Sequence, residues 1–162
     1  MLLVIDIGNT NITIGLFEGD KLGARWRLAT NHERMPDEYG LQLLELLAHT
    51  KHSVQELSGV CLASVVPPLT SKFVEACRMY TGLEPLVIDA GVKTGVRIRY
   101  EDPRAVGADR IVDAAAVQRL YGGPACVVDF GTATTFDAIS VSYTHLRAHE
   151  TVLDLVCRLL LE

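Results

Sequence analysis

The chain has 162 residues, of which 49% are hydrophobic and 22% are charged, and its formal net charge is −5. This size and composition are typical of a globular protein with one sizeable core or two small half-domains. The acidic balance and the lack of a Lys/Arg cluster argue against a nucleic-acid surface. No apolar run approaches a membrane span, and Met1 leads into a strand without a basic segment, so we expect a cytoplasmic protein without membrane contact.

The cysteines do not have the spacing of a metal site or of a disulfide framework. No Cys-x-x-Cys pair occurs, and each cysteine lies among apolar neighbours. They are therefore predicted to be reduced residues of the core. The four are Cys61, Cys77, Cys126 and Cys157.

Three antiparallel strands are predicted to open the fold. The apolar run from Met1 to Ile5 indicates a buried strand over residues 2–7, and apolar residues then alternate over residues 11–17 and 22–28. Gly19 lies in the tight turn between the second and third strands. The order indicates a meander.

Helices and strands then alternate along the chain. Pro36, followed by two acidic residues that the helix dipole favours, begins a helix. A short buried strand covers residues 59–64, the two prolines from Pro67 interrupt it, and a second helix covers residues 69–80. The later predicted elements are strands over residues 86–89 and 96–100, a helix from Gly107 to Tyr121, and strands over residues 125–128 and 134–140.

The order of elements predicts an α/β fold with a mixed sheet that begins twice. The first domain covers residues 1–120, and the second begins at residues 121–140 and is truncated. From residue 141 the pattern changes, because the codons that can encode residues 141–162 resemble the two ends of a transposon-type sequencing adapter. We therefore predict that this tail is translated read-through; the alternative is a genuine amphipathic helix near the C-terminus.

The most informative feature is an Asp-x-Gly sequence that is followed closely by threonine and occurs twice. Asp6 to Thr10 follows the first apolar run, and Asp129 to Thr134 follows a later one. Glycine allows a close backbone approach to a ligand, and such donor-rich turns bind anions. Two facing copies would hold a nucleotide phosphate tail and its cation between two carboxylates. Each Asp alone is also explained as a polar residue at a strand end, and no P-loop sequence is present.

A second set of polar residues lies between the two copies, at the start of the third predicted helix. Asp109 stands in the first helical turn, where the dipole stabilises an acidic residue whatever its role, and Arg110 follows it. The structural interpretation makes both residues ordinary surface charges. The functional interpretation makes Asp109 a general base for a substrate hydroxyl and Arg110 the partner of an anion.

Taken in order, these segments resemble the type III pantothenate kinases. The resemblance covers roughly residues 1–140 and rests on Asp6 to Thr10, on Tyr100 leading to Gly107 to Arg110, and on Asp129 to Thr134. It implies two ribonuclease-H-like domains of the acetate kinase, sugar kinase, Hsp70 and actin superfamily, with the second truncated here. It also implies ATP-dependent phosphorylation of pantothenate to 4′-phosphopantothenate, the first step of coenzyme A biosynthesis, by a homodimer.

The resemblance further implies a role for individual residues. Asp109 would accept the proton of the substrate hydroxyl, Asp129 would hold a monovalent cation, K⁺ or NH₄⁺, and Asp6 would lie near Mg²⁺. The implied ATP-binding residues are Asp6, Ile7, Gly8, Asn9, Thr10, Asn11, Ile12, Thr13 and Thr132. The implied pantothenate contacts are Tyr100, Gly107, Ala108, Asp109 and Arg110.

Three other interpretations remain open. The chain could be another kinase of the same superfamily, acting on a sugar or an acid, although the segment from Tyr100 to Arg110 argues against this. It could be a non-catalytic accessory or regulatory protein that kept the fold, although the three intact aspartates argue for chemistry. It could also be an inactive fragment, because a truncated second domain would expose a sheet edge.

Overall fold

The computed structural model describes residues 1–98, 102, 105–130 and 134–139, and the backbone of residues 145–149. The chain divides into two compact units, Met1–Ile88 and Asp89–Glu162. Within the described residues, no helix is both long enough and apolar enough to cross a bilayer.

The first unit is built on a five-stranded mixed sheet. Its strand order is β3-β2-β1-β4-β5, in which the first three strands pair antiparallel and β4 and β5 run parallel to β1. This confirms the predicted meander and mixed sheet, and every strand bound lies within two residues of its prediction. The strands are β1 (Leu2–Ile7), β2 (Asn11–Glu18), β3 (Lys21–Ala29), β4 (Gly59–Ser64) and β5 (Leu86–Val87).

One face of this sheet forms the core. Leu3, Ile5 and Ile7 of β1 are fully buried, as alternation along a strand requires. The opposite face is not covered in the same way, since Leu2 is 41% exposed and Asp6 is exposed. The predicted buried strand over residues 2–7 is therefore buried on one face, because the helices of this unit pack against that face. Asp6 is left on the open side.

Two helices cover the buried face, α1 (Pro36–His49) and α2 (Pro67–Thr81). Pro67 and Pro68 are the first residues of α2 rather than a break before it. A proline suits this position because the first helical N–H groups have no intrahelical partner. The helix ends at Gly82, which takes a left-handed conformation with φ of 70°. A short 3₁₀ turn, Val54–Glu56, was not predicted.

Helices α1 and α2 approach closely at Gly40. A β-carbon added to this buried glycine would overlap the ring of Tyr80, whose hydroxyl donates a 2.6 Å hydrogen bond to Asp37. We expect Gly40→Ala to lower the free energy of unfolding by about 1–2 kcal/mol, because overpacking outweighs the roughly 1 kcal/mol gained in helix propensity. Urea unfolding followed by the fluorescence of Trp26, the single tryptophan, measures this change.

The control places Gly40→Ala in a Tyr80→Ala background. Without the ring the new methyl group has space, so the substitution should there raise stability by about 0.5–1 kcal/mol. Equal effects in both backgrounds would show that contact with Tyr80 does not determine the result.

The second unit contains a four-stranded sheet and one helix. Its strand order is β6-β9-β8-β7, with β7, β8 and β9 antiparallel and β6 parallel to β9. The strand predicted to end before Asp129 extends to Phe130, because Asp129 pairs with Thr135 and continues the ladder. The elements are β6 (Arg97–Ile98), α3 (Ala108–Leu120), β7 (Ala125–Phe130), β8 (Thr134–Ile139) and β9 (His145–His149).

Strand β9 lies inside the stretch where the sequence predicts no regular element. It pairs antiparallel with β8, where Asp137 stands opposite Ala148. Residues 145–149 alternate polar and apolar residues, His145, Arg147 and His149 with Leu146 and Ala148, which is the local signal for a strand. The expectation of no regular element is therefore wrong for these five residues. Residues 141–144 and 150–162, which include the alternative C-terminal helix, lie outside the described residues.

The cysteines differ from the prediction in one respect. Cys77 is buried and Cys61 is half-buried, but Cys126 is exposed. All three are free thiols, as expected, and Cys157 lies outside the described residues. The prediction is wrong for Cys126 because its face of β7 is open, as the 41% exposure of Val128 also shows.

Thiol reactivity should follow this difference in burial. Burial raises the pKa of Cys77 to about 12, so its thiolate fraction at about pH 8 is on the order of 10⁻⁴. We expect iodoacetamide to alkylate Cys126 long before Cys77 in the folded chain, as mapped by mass spectrometry. Labelling in urea is the control, in which both should react; equal native rates would contradict the structure.

Candidate functional site

The turn between β1 and β2 carries the first aspartate–glycine–threonine copy and is held by three hydrogen bonds. The N–H of Gly8 donates to the carbonyl of Asn11 at 2.9 Å. From the end of β3, the Thr30 hydroxyl donates to the Gly8 carbonyl at 2.7 Å, and the Thr30 N–H donates to the Thr10 carbonyl at 3.0 Å. A β-carbon on Gly8 would lie 3.1 Å from the Asn11 carbonyl oxygen, so glycine allows this tight turn.

Thr30 is a site residue that the sequence analysis missed. It lies beyond the end of the third strand, outside any motif, and only the pairing of β2 with β3 brings it to this turn. The available signal is that Thr30, a hydroxyl residue, directly follows β3, and that β2, which pairs with β3, begins at the turn. Thr30 therefore belongs to the support of the site, through the backbone that it binds.

The predicted ATP-binding segment divides into two sets by side-chain direction. Ile7 and Ile12 are fully buried in the core, so they offer a ligand their backbone only. Asp6 stands opposite Thr13, and opposite residues of an antiparallel pair share one face of the sheet. That face is the one turned away from the buried isoleucines. The side chains of Asn9, Thr10 and Asn11 are exposed, and Gly8 is half-buried.

In the second unit, the start of α3 carries the predicted substrate residues. Gly107 is the N-cap residue with an extended backbone, φ −61° and ψ 148°. Ala108 is buried, with 7% exposure, and is held as part of the core of this unit. Asp109 and Arg110 are half-buried, and the Asp109 Oδ1 accepts the backbone N–H of Arg110 at 2.8 Å. The start of α3 therefore carries an acidic and a basic residue in consecutive positions.

The Arg110 guanidinium forms a bidentate ion pair with Asp137 of β8. Its Nε lies 2.9 Å from Asp137 Oδ1 and 3.1 Å from Oδ2, and Nη2 also donates to Oδ1. The Asp137 side chain is 3% exposed and that of Arg110 is 17% exposed. The sequence analysis missed Asp137, although an aspartate between Phe136 and Ala138 in a predicted strand was the available signal.

This ion pair places the start of α3 on the same face of the sheet as Asp129. Asp129 stands opposite Thr135, and Asp137 lies two residues after Thr135, so all three side chains are on one face. Arg110 reaches Asp137 on that face. The structure thus brings Asp109, Arg110 and Asp129, predicted from separate motifs, to one side of a single sheet.

Other predicted residues are not described together with these. Tyr100 and Thr132 lie outside the described residues. Asp6 belongs to the unit Met1–Ile88, whereas Asp109 and Asp129 belong to Asp89–Glu162. The structure therefore describes the predicted phosphate-binding turn and the predicted acceptor residues separately, each within its own unit.

The exposed aspartates suit a hard cation that has one carboxylate ligand from the protein and further ligands from substrate phosphates and water. Asp6 and Asp129 are exposed carboxylates, and each is the residue before the last of its strand. Within the described part of the chain, no group of three or more His, Cys, Asp or Glu residues could form a metal cage. Mg²⁺ is commonly held by one or two carboxylates together with substrate phosphates and water, which fits single aspartates.

Comparison with known proteins identifies the family. The model of the type III pantothenate kinase family matches residues 2–147. The chain belongs to this family. Type III pantothenate kinase of Moorella thermoacetica is 57% identical over 140 residues, which are 86% of this chain and 55% of that enzyme. Type III pantothenate kinase of Dehalococcoides mccartyi is 52% identical over 139 residues, 86% of this chain and 54% of the enzyme. The chain thus spans about half the length of these curated family members.

A solved structure shows the same fold. A putative N-acetylglucosamine kinase from Porphyromonas gingivalis superimposes with a TM-score of 0.50 at 13% identity, over 90% of this chain and 47% of that chain. At this identity the likeness concerns the fold alone. Together with the mixed sheet of the first unit, it confirms the predicted α/β, ribonuclease-H-like fold class of the pantothenate kinase family.

Proposed function

We propose that the protein to which this chain belongs transfers the γ-phosphoryl group of ATP to pantothenate and forms 4′-phosphopantothenate, the first step of coenzyme A biosynthesis. The observation that carries the proposal is the family match over residues 2–147. Since the chain spans about half of its curated relatives, the proposal concerns the complete protein. The intact Asp6, Asp109 and Asp129 support catalysis over an accessory role.

The turn after β1 is the proposed phosphate-binding element. Phosphoryl transfer depends on positioning and on charge neutralisation more than on covalent chemistry. The hydrogen bonds from Thr30 hold the backbone of Gly8 and Thr10, so this loop is arranged before a ligand arrives. Asn9 and Thr10 offer exposed polar side chains to the phosphates. Thr132, which lies outside the described residues, is proposed as a further ATP contact on the family resemblance.

The start of α3 is the proposed acceptor site. Asp109 takes the proton from the pantothenate hydroxyl as its oxygen attacks phosphorus. Arg110 binds the pantothenate carboxylate, for which a guanidinium is a suitable partner. Gly107 and Ala108 supply backbone contacts, and Tyr100 completes the set of substrate contacts.

Cations offset the repulsion between carboxylates and a polyanionic substrate. Asp6 would hold Mg²⁺, and Asp129 would hold K⁺ or NH₄⁺. When bound, these ions supply positive charge near the phosphates. An exposed aspartate at each place leaves the remaining coordination positions to phosphate, backbone carbonyls and water.

The wider organisation is proposed with this function. The complete protein is a cytoplasmic homodimer that binds neither nucleic acid nor membrane. Residues 1–120 form its first ribonuclease-H-like domain, residues 121–140 begin the second, and residues 141–162 are not native to it. The alignments with the two relatives span 139 and 140 residues, which supports the boundary, although the family match extends to residue 147. A long-read sequence of the gene that retained the tail would reject this boundary.

The function is tested on the enzyme made from the complete gene. We expect ATP turnover that requires pantothenate and is stimulated by K⁺ or NH₄⁺, with 4′-phosphopantothenate identified by mass spectrometry. A panel of sugars and short acids is the control for another kinase of the superfamily. Turnover with a panel member but not with pantothenate would overturn the substrate, and no turnover with any acceptor would favour the accessory role.

A further inference from the structure

We propose that Asp137 is a positioning residue that fixes the guanidinium of Arg110 for the carboxylate of the acceptor substrate. The inference rests on the proposed function, because it concerns how that acceptor site is organised. The family motif ends before Asp137, and no role in the site follows from the motif itself. The proposal comes from the geometry of the second unit alone.

First, Asp137 occupies one edge of the Arg110 guanidinium. Nε and Nη2 of Arg110 donate to the Asp137 carboxylate. A guanidinium has five N–H donors in one plane, so the bidentate contact sets the plane as well as the position. The Nη1 amino group lies on the opposite edge and is directed away from Asp137. A second carboxylate can therefore bind Arg110 without displacing the first.

The second step is burial. The side chain of Asp137 is 3% exposed, and it is the only buried polar or charged residue among the described residues. Burying a carboxylate costs a large desolvation penalty. A buried ion pair often stabilises a protein no more than apolar residues of similar volume would, so stability alone does not explain Asp137. The side chain of Arg110 is 17% exposed. The pair thus combines a buried carboxylate with a guanidinium that keeps some access to solvent, as a substrate contact requires.

The third step is the position of the pair on the sheet. Asp137 shares its face of the sheet with Asp129, and Arg110 directly follows Asp109 in α3. Without Asp137, the long side chain of Arg110 would sample many rotamers, and binding the substrate would have to order it. Asp137 removes that entropy loss in advance. Its substitution should therefore weaken substrate binding more than it slows the chemical step.

The competing explanation is a structural one, in which the ion pair only ties α3 to β8. In that case its loss would disturb the whole unit, and the affinities for both substrates would change together. The positioning role instead predicts an effect on pantothenate that passes through Arg110. A double-mutant cycle separates the two, because residues that act through one contact have non-additive effects.

The experiment uses the enzyme from the complete gene with Asp137→Asn, Arg110→Gln and the double variant. We expect Asp137→Asn to raise the KM for pantothenate about 10- to 100-fold while the KM for ATP changes less than about 3-fold. The double variant should be no worse than Arg110→Gln alone. Arg119→Gln, an exposed arginine in the last turn of the same helix, is the matched control and should leave both constants unchanged.

Each outcome decides the proposal. An unchanged KM for pantothenate, multiplicative effects in the double variant, or parallel changes in both KM values would overturn it. If Asp137→Asn does not fold, Asp137→Glu moves the carboxylate by one methylene and should displace the guanidinium, which raises the KM for pantothenate and not that for ATP. Parallel changes of both KM values in that variant would equally reject the role. Wild-type enzyme without pantothenate turnover would instead refute the proposed function, and this inference with it.

Discussion

Asp109→Asn in the complete enzyme is expected to lower the turnover number with pantothenate by about 10²- to 10⁴-fold, the usual contribution of general-base assistance. Asparagine has nearly the shape of aspartate, and its carbonyl oxygen can still accept the Arg110 backbone N–H that Asp109 Oδ1 accepts at 2.8 Å. The start of α3 should therefore keep its geometry while losing the proton acceptor. Steady-state kinetics with a coupled ATPase assay measure the turnover number.

ATP affinity is the internal control for this variant. It should change little, because the proposed phosphate-binding turn belongs to the other unit. Asp20→Asn, the same change in the exposed turn between β2 and β3, should leave turnover unaltered. Near-normal turnover in Asp109→Asn would remove Asp109 from the role of base, and a large loss of ATP affinity would indicate a structural defect.

Phe73→Ala is expected to lower the free energy of unfolding of the first unit by about 3–5 kcal/mol. Phe73 is fully buried in α2, and its ring centroid lies 4.3 Å from that of Tyr39 in α1, at an interplanar angle of 36°. Truncation removes apolar contact and leaves a cavity between two helices and the sheet. Since a domain is stable by only about 5–15 kcal/mol, this loss would take a large share of it.

Trp26 reports this transition by its fluorescence during urea unfolding, because it is the only tryptophan and packs against the same core. Met79→Ala is the matched control on the same helix. Met79 is 52% exposed, so its truncation should change stability by less than about 0.5 kcal/mol. If the two variants were equally stable, Phe73 would not be part of the core as the structure has it.

Most elements of the first unit were predictable because their signals are local. The alternation of apolar residues in β2 and the acidic first turn of α1 each depend on a few neighbouring residues. The errors arose where one residue type is compatible with two local structures. Pro67 both breaks a strand and begins a helix, and only the path of the chain after β4 shows which applies. Asp129 was expected beyond the end of β7, and its pairing with Thr135 keeps it in the strand.

The candidate site was predictable in its residue identities and less so in its contacts. A carboxylate before glycine and threonine, and an aspartate at the start of a helix, are motifs that can be read from short segments. Thr30 and Asp137 were missed because each acts on a residue that is distant in sequence. Thr30 reaches Gly8, 22 residues away, through the pairing of three strands. Asp137 reaches Arg110, 27 residues away, through the packing of α3 on β8.

The sequence by itself determined the order of the elements, the family motifs and the three aspartates that the proposed chemistry uses. These depend on periodicity, turn-forming residues and short spacings, which are properties of neighbours along the chain. The tertiary structure alone decided which distant groups meet: the Thr30 hydroxyl contacts the Gly8 backbone carbonyl, and the Asp137 carboxylate contacts Arg110. The reason is that strand register and helix packing are set by the burial of the whole core, so no short segment encodes such a contact.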